Sequence, residues 1–274
     1  MSKILYFDCL SGISGDMTIG ALLDLGIDQE LFLEELKKID IDGYELGIKK
    51  NQKNGITGTD FDVIIKNHHN PNHSESNHHE HNHDHHQHSD NHTHEHSHHH
   101  HHRNLADIEE IIDNSRLKDN VKNLSKKIFR LVAQAEAKIH NKSLAEVHFH
   151  EVGAIDSIVD IVGAAICIDL LEVDEIYSAP LHLGTGFVKC AHGNIPVPAP
   201  ATLEILKDVP VYSKGVKSEL VTPTGAAIIK TLAKEFKSLP EISIEQIGYG
   251  LGKKDLEIAN VLRVVLGKKK VKKL

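Results

Sequence analysis

Apolar and polar positions alternate along the chain in a pattern typical of short strands and helices. An apolar run at 3–7 predicts a strand, and a glycine-bearing turn then leads into a helix that begins near Met17. Apolar residues at helical spacing predict further helices at 29–39, 105–112, 119–140, 155–171 and 226–236. Strands are predicted at 44–48, 57–66, 175–179, 241–247 and 260–266, with a glycine turn at 248–252. This alternation predicts an α/β fold, a layered sheet with packed helices.

The segment at 155–171 is too apolar to form a surface helix, so its polar residues are informative. Asp156 and Asp160 are four positions apart and therefore share one helix face. A carboxylate on a buried face changes its pKa or requires a cation, strong donors or a metal. His148, His150 and Glu151 stand just before the helix. The predicted metal ligands are these five residues. Alternatively, Asp156 only caps the helix, and each of the others is a hydrogen-bonded structural residue.

The turn after the first predicted strand is a candidate anion site. A strand, a glycine turn and a helix N-terminus can hold a phosphate on backbone amides. The candidate substrate-binding residues in this turn are Asp8, Ser11, Gly12, Gly15 and Asp16. The two acids would suit a metal between protein and phosphate. The spacing matches neither the P-loop nor the dinucleotide fingerprint, and an ordinary tight turn remains the alternative.

Two later segments carry further candidate chemistry. In 181–200, Cys190 and His192 lie two apart in a proline-rich extended stretch and could bind a soft metal or a sulfur ligand. The alternative is a small buried thiol and a structural imidazole. In 219–225, Thr222, Thr224 and Gly225 open a helix whose amides offer a second anion site, although plain helix capping is the alternative.

Composition changes abruptly at 68–102, which holds 18 of the 23 histidines and almost no apolar residue. Such a segment cannot bury enough surface to fold, so a disordered His-rich insert is predicted at 67–103. Neutral imidazoles bind nickel, zinc and copper, which predicts metal storage. The predicted storage residues are His81, His83, His85, His94, His96, His98, His100 and His102. A solvated linker is the alternative.

Charge and cysteine content narrow the functional classes. A net charge of -8 leaves no basic footprint for nucleic acid, so no nucleic-acid partner is expected. No apolar run is long enough for a membrane span and no signal peptide opens the chain, which predicts a cytoplasmic protein without membrane contact. Cys9, Cys167 and Cys190 are odd in number and widely spaced, as expected in a reducing compartment.

Several motifs in order resemble the LarC family, the nickel-insertion proteins of the nickel-pincer nucleotide pathway. The motifs are DCLSGISGDM, HFHEVGAIDSIVDIVG, HGNIPVPAPAT, TPTGAA, GYGLG and NVLRVVLG. The resemblance implies a nickel chelatase, or cyclometallase of the lyase class. Its substrate would be pyridinium-3,5-bisthiocarboxylic acid mononucleotide, its co-reactant CTP with magnesium or manganese, and its product the cofactor of lactate racemase-type enzymes.

The resemblance also implies roles and an organisation. His150, His192 and Asp156 are candidates for accepting the ring proton that is lost when a metal–carbon bond forms. Residues 1–66 and 104–267 are expected to form one α/β domain, followed by a basic tail at 268–274. The family's C-terminal CTP-binding domain is expected either as a separate product or as a part lost from a truncated version. Expected partners are that domain, a lactate racemase-type apoenzyme or other maturation proteins, and further copies of the chain in a homo-oligomer.

Two other functions fit the same residues. A non-catalytic nickel store or metallochaperone would use the His-rich insert as its active part. A phosphotransfer or nucleotide-hydrolysing enzyme would use Asp8 and Asp16 with magnesium.

Overall fold

The computed structural model describes residues 1–66, 103–147, 149, 155–190 and 193–269. The first part consists of β1 (Ser2–Asp8), α1 (Gly15–Asp24), α2 (Gln29–Leu36), a 3₁₀ turn (Lys37–Ile39), β2 (Tyr44–Lys53) and β3 (Ile56–Ile65). Next come α3 (Leu105–Asn114), α4 (Asp119–Ile139), a 3₁₀ turn (Leu144–Glu146) and α5 (Ile155–Leu171). The last part contains β4 (Glu175–Ser178), β5 (Leu181–His182), β6 (Phe187–Cys190), β7 (Gly193–Pro196), α6 (Pro200–Ile205), β8 (Val211–Tyr212), α7 (Pro223–Leu232), β9 (Glu235–Phe236), β10 (Ser243–Leu251) and β11 (Val261–Lys269).

A mixed sheet of seven strands organises the described chain, in the order β2-β3-β10-β11-β1-β4-β9. β1 runs parallel to β4 and antiparallel to β11, and β11 pairs antiparallel with β10. The hairpin of β2 and β3 joins this sheet through a single parallel pair, Thr59 with Gly250. β3 therefore runs on past the end of β10 and forms a wall at the carboxyl end of the sheet.

The helices form layers that bury one side of this sheet. α1 contacts β10 and β3, α5 contacts α1, and α4 contacts α5. α5 is enclosed as its composition predicts: Ile158, Val159, Ile161 and Val162 are all fully buried. The predicted α/β architecture is thus confirmed for the described residues. None of the described helices is long and apolar enough to cross a membrane.

Glycines in β10 correct one sequence expectation. The turn predicted at 248–252 is wrong for most of its length, because β10 continues to Leu251. A Cβ on Gly248 would lie 2.2 Å from the carbonyl oxygen of Ala21, and one on Gly250 only 1.8 Å from that of Met17. These glycines allow the backbone of α1 to approach the strand, which is a known reason for glycine within a sheet.

Other boundaries also differ from the sequence prediction. The helix predicted at 226–236 begins at Pro223 and ends at Leu232, and residues 235–236 instead pair with β4 as an edge strand. β11 extends through Lys269, so the first two lysines of the predicted tail belong to the sheet. α6 and β8 were not predicted. The extended segment predicted at 181–200 contains the small hairpin of β6 and β7.

Candidate functional site

Three helices begin at one cavity of about 440 Å³ at the carboxyl end of β1 and β10. Its walls come from the first turns of α1, α5 and α7, from β3 and from the segment after β10. The lining residues are Ser14, Gly15, Asp16, Asp62, Val63, Asp156, Ser157, Asp160, Glu219, Thr222, Pro223, Thr224 and Lys253. Helix N-termini carry partial positive charge and unpaired amides, so their convergence favours an anionic ligand.

The glycine turn brings the start of α1 against the start of α7. Gly12 adopts φ +86°, and a Cβ there would lie 1.9 Å from the carbonyl oxygen of Leu220. The amide of Ile13 donates to that same oxygen at 2.9 Å, and the amide of Thr222 donates back to Ile13 at 3.2 Å. A Cβ on Gly225 would lie 2.2 Å from the Ile13 carbonyl oxygen. Gly12 and Gly225 therefore serve close backbone contact.

Gly15 has a similar function between α1 and α5. A Cβ at Gly15 would lie 2.4 Å from Oδ2 of Asp160 and 2.5 Å from its Cβ. The backbone amide of Asp16 also donates to the Asp160 carboxylate. The first turn of α1 thus lies directly on the side chain of Asp160, and this brings the acids of the two helices together.

Asp160 is the least satisfied polar group in the cavity. Its Oδ1 is buried and has no hydrogen-bond partner among the described residues. Burial, followed by the charges of Asp16 and Asp156, holds the pKa of Asp160 well above its ordinary value. Burial also raises the pKa of Asp16, against the opposing effect of hydrogen bonds from the Ser14 hydroxyl and the Met17 amide. Clustered carboxyls with raised pKa values bind a proton or a cation.

Lys253 contributes the single positively charged side chain among the lining residues that the structure describes. Its Nζ donates to Oδ1 of Asp60 at 2.6 Å and to the carbonyl of Phe61 at 2.8 Å, and it lies 3.5 Å from Asp62. Burial would lower the pKa of Lys253, but Asp60, Asp16 and Asp62 raise it above its ordinary value. Lys253 is therefore a charged ammonium group at neutral pH.

The α7 side of the cavity differs from the acidic side. The hydroxyl of Thr222 accepts the amide of Gly225 at 3.1 Å and so caps the helix, which has no acid in its first turn. Thr224 is only 7% exposed and lines the cavity. A neutral cap and a hydroxyl-bearing side chain suit an oxyanion, whereas α1 and α5 present carboxylates to the same space.

The structure brings together only some of the predicted substrate-binding residues. Gly15, Asp16, Thr222 and Thr224 line the cavity with Asp156 and Asp160. Asp8 instead forms an ion pair with Arg263, its cross-strand neighbour on β11. The hydroxyl of Ser11 donates to the carbonyl of Ala259 at 2.7 Å. Neither residue is among those that line the cavity.

Several predicted ligands lie outside the described residues. These are His148, His150, Glu151, His192 and the eight storage histidines, and of Cys190 the strand alone is described. Within the described ranges, no three His, Cys, Asp or Glu side chains are grouped closely enough to hold a metal ion. Asp156 is exposed at the rim, and its Oδ1 accepts the amide of Ser157 at 2.8 Å. Asp156 and Asp160 alone therefore form part of a metal site at most.

Other buried side chains that could in principle bind a metal are structural. His182 is 5% exposed, stacks on Tyr212, and has both ring nitrogens in hydrogen bonds, with the Leu10 carbonyl and the Lys214 amide. The thiols of Cys9 and Cys167 are buried, and burial raises the pKa of Cys9 to about 12. These groups are satisfied or protonated, and the cavity lining does not include them.

Sequence reasoning missed Asp62, Glu219 and Lys253. Asp60 and Asp62 occupy alternate positions of β3 and so lie on one face of that strand. This pattern was visible in the sequence, but nothing in it indicates that a lysine 191 residues after Asp62 approaches the same strand, as the Lys253–Asp62 distance shows.

Comparisons with known proteins agree on one family. The family model described as "Nickel insertion protein" matches residues 5–274. A protein of Acetivibrio thermocellus named pyridinium-3,5-bisthiocarboxylic acid mononucleotide nickel insertion protein is 54% identical, over 98% of this chain and 61% of its own length. Proteins with the same name from Clostridium acetobutylicum and Geobacillus kaustophilus are 56% and 49% identical, over 97% of this chain and 64% and 60% of theirs.

The chain thus spans about six tenths of the length of the curated relatives it matches. No solved structure matches it.

Proposed function

Because the chain belongs to the nickel insertion protein family, we propose that it takes part in inserting nickel into pyridinium-3,5-bisthiocarboxylic acid mononucleotide. The observation that carries this proposal is the cavity in which the acidic first turns of α1 and α5 face the neutral N-terminus of α7. Nickel is a cation, whereas the thiocarboxylates and the phosphate of the substrate are anions. A cavity with both kinds of wall suits a reaction that joins them.

We assign the nickel ion, as substrate, to the acidic side. Asp160 and Asp156 supply carboxylate oxygens there, and Asp160 Oδ1 has no competing partner among the described residues. His148, His150 and Glu151 precede α5 in the chain and are proposed to complete the ligand set. Imidazole and carboxylate bind nickel less strongly than thiolate-like sulfur does, so transfer to the thiocarboxylates is favourable.

We assign the phosphate of the mononucleotide to the N-terminus of α7, with Thr224 as hydroxyl donor and Thr222 and Gly225 shaping the turn. Gly15 and Asp16 form the facing wall. Cys190 is proposed to contact the sulfur atoms of the substrate. Forming the bond between nickel and the ring carbon breaks a ring C–H bond. The proton passes to His150, His192 or Asp156 as base, and the C–H electron pair becomes the metal–carbon bond.

The residues that flank the His-rich insert support delivery of nickel to this cavity. On the preceding side, the amide of Lys66 donates to Gly43 at 2.9 Å, and a Cβ on Gly43 would lie 3.5 Å from Cδ1 of Ile155, the first residue of α5. On the following side, Arg103 accepts the amide of Phe149 at 3.2 Å. The preceding flank is thus bonded to Gly43, which lies near the start of α5, and the following flank is bonded to Phe149, six residues before α5 in the chain.

The finer parts of the proposal follow the family resemblance. We propose that CTP with magnesium or manganese is consumed, with no described residue assigned to it, and that the product passes to a lactate racemase-type apoenzyme. The enzyme would then be a chelatase of the lyase class in the cytoplasm. A nickel store is the second candidate, and the 18 histidines of 68–102 favour it.

The test is product formation. The chain is incubated with the pyridinium substrate, nickel and CTP, with and without the remaining segment of a longer relative, and the nickel-pincer nucleotide is detected by mass. Asp160→Asn should lower the rate roughly 10-fold to 100-fold, the range for an altered ligand or supporting residue. Asp169→Asn on the same helix is the matched control, because Asp169 pairs with Lys118 at the surface. Absence of product in every combination would contradict nickel insertion and favour the storage function. Full activity of the Asp160 variant would contradict the assignment of the reaction to this cavity.

A further inference from the structure

Lys253 brings a positive charge to an acidic cavity. The cavity is lined by five carboxyl groups, those of Asp16, Asp62, Asp156, Asp160 and Glu219, and by the ammonium group of Lys253. That ammonium group bridges Asp60 on β3 and Asp62, which itself lines the cavity. Its charge also acts on Asp16 and Asp160. The described acids therefore already have one positive charge among them before any metal enters.

The position of Lys253 does not depend on its ammonium group alone. The carbonyl oxygen of Lys253 accepts Nζ of Lys53 at 3.3 Å. The neighbouring Gly252 donates its amide to Asn260 at 2.9 Å, and the Asn260 side chain donates to the carbonyl of Lys254 at 2.9 Å. The segment after β10 thus has backbone attachments that would persist without the charge. The side chain is 43% exposed, so the ammonium group can move into solvent without opening the core.

We propose that Lys253 is a built-in counter-cation of the cavity, which weakens divalent-cation binding so that nickel can leave for the substrate. A transfer site must hold its metal less tightly than the receiving ligand does, and a positive charge beside the ligands lowers affinity without removing any ligand. The inference rests on the proposed function, because it concerns nickel bound in this cavity.

A structural role for Lys253 predicts the opposite result. If the ammonium group only fixed the segment after β10, its removal would loosen the cavity wall and weaken cation binding. If it is a counter-cation, Lys253→Met, which keeps the length of the side chain and removes the charge, should tighten binding by roughly 3-fold to 30-fold, as expected for one like charge at a partly exposed site. Lys253→Arg should remain near the wild-type value.

The experiment is a manganese titration of the whole chain, followed by electron paramagnetic resonance of free Mn²⁺ at low ionic strength. Mn²⁺ prefers carboxylate oxygens and is the weakest divalent binder of imidazole in its series, so the histidines interfere little. Asp160→Asn identifies the cavity site as the one it weakens. Lys49→Met is the matched control, because Lys49 lies 3.7 Å from the same Asp60 but is not a lining residue.

The expected result is tighter manganese binding in Lys253→Met alone, and tighter binding that disappears in the double variant with Asp160→Asn. Unchanged or weaker binding in Lys253→Met, with a wild-type site that still depends on Asp160, would overturn the counter-cation role and leave the proposed function intact. A wild-type chain without any Asp160-dependent site would overturn both. A denaturant melt of each metal-free variant detects loss of fold. Wild-type affinity in Lys253→Arg, together with tighter binding in Lys253→Met, shows that the charge at this position sets the affinity.

Discussion

At the scale of single residues, Asp160 concentrates the chemistry of the cavity. It lies on a largely apolar helix, beneath Gly15 and beside two further acids. No described Lys or Arg forms an ion pair with its carboxylate. Asp8 and Asp60, by contrast, are paired with Arg263 and Lys253. A carboxyl in such surroundings exists as the neutral acid or as the ligand of a cation.

The pH dependence of stability tests this state. A folded-state pKa above the unfolded value gives stability that is complete below the unfolded pKa and is lost as pH rises through the folded pKa. Asp160→Asn removes this loss because the amide does not titrate. The variant should match wild type near pH 4 and gain in free energy of unfolding relative to it as pH rises toward 8, in denaturant melts without metal. Asp169→Asn should show no such trend, and an Asp160 variant that is weaker at every pH would contradict the assignment.

At the scale of elements, the N-terminus of α7 contains one threonine that caps the helix and one that we propose binds the substrate. Thr222 caps the helix, so Thr222→Ala should cost about 1 kcal/mol of stability, whereas Thr222→Ser should restore it. Thr224→Val keeps the shape of the side chain and removes the hydroxyl that we propose donates to the phosphate. Stability should hold, while affinity for the mononucleotide falls roughly 10-fold, as expected for one hydrogen bond to a charged group. Calorimetry of substrate binding and thermal melts measure the two effects. If both variants lost stability and affinity equally, the two threonines would not have separate roles.

The contact of α1 with β10 gives another prediction at this scale. Gly250→Ala would place a methyl 1.8 Å from a backbone carbonyl that cannot rotate away, so α1 or the strand must shift. We expect a loss of about 3 kcal/mol or more, at the upper end for overpacking. Gly47→Ala on β2, with its nearest atom at 3.4 Å, is the control and should change stability little. Urea melts compare the two, and a mild effect at Gly250 would show that α1 adjusts its position.

Sequence periodicity was sufficient for the elements whose apolar pattern is set by the core, such as β1, α4 and α5. It failed where a residue serves a distant contact. Gly248 and Gly250 are typical turn residues in the sequence, yet they lie in β10, where the absence of a side chain lets α1 pack closely. Phe236 fits the end of a helix in the sequence, yet it pairs with Ser178 in a strand. Neither partner lies near in sequence, so no local pattern could predict these contacts.

At the scale of the whole molecule, the cavity is assembled from five separate parts of the chain. The turn at 12–16, the start of α5 and the start of α7 were each candidate sites from sequence, and the fold joins them. β3 and Lys253 complete the walls, and only topology brings them there. Asp8 is the converse case. Its position beside the glycine turn predicted a substrate-binding residue, but in the fold it forms an ion pair with Arg263.

The His-rich segment follows β3, which contributes Asp62 and Val63 to the cavity wall, and changing this segment tests how the two parts cooperate. Replacing all 18 histidines of 68–102 by asparagine or serine keeps the length of the segment and removes its imidazoles. Because the segment has almost no apolar residue, the metal-free thermal midpoint should move by less than about 2 °C. Most bound nickel should be lost in a titration, and product formation should fall at scarce nickel but recover at saturating nickel. Deleting 68–102 should add only a small rise in midpoint, because a shorter loop costs less entropy to close. A large drop in metal-free stability would make the tract structural, and failure of excess nickel to restore product would place the insert in the reaction itself.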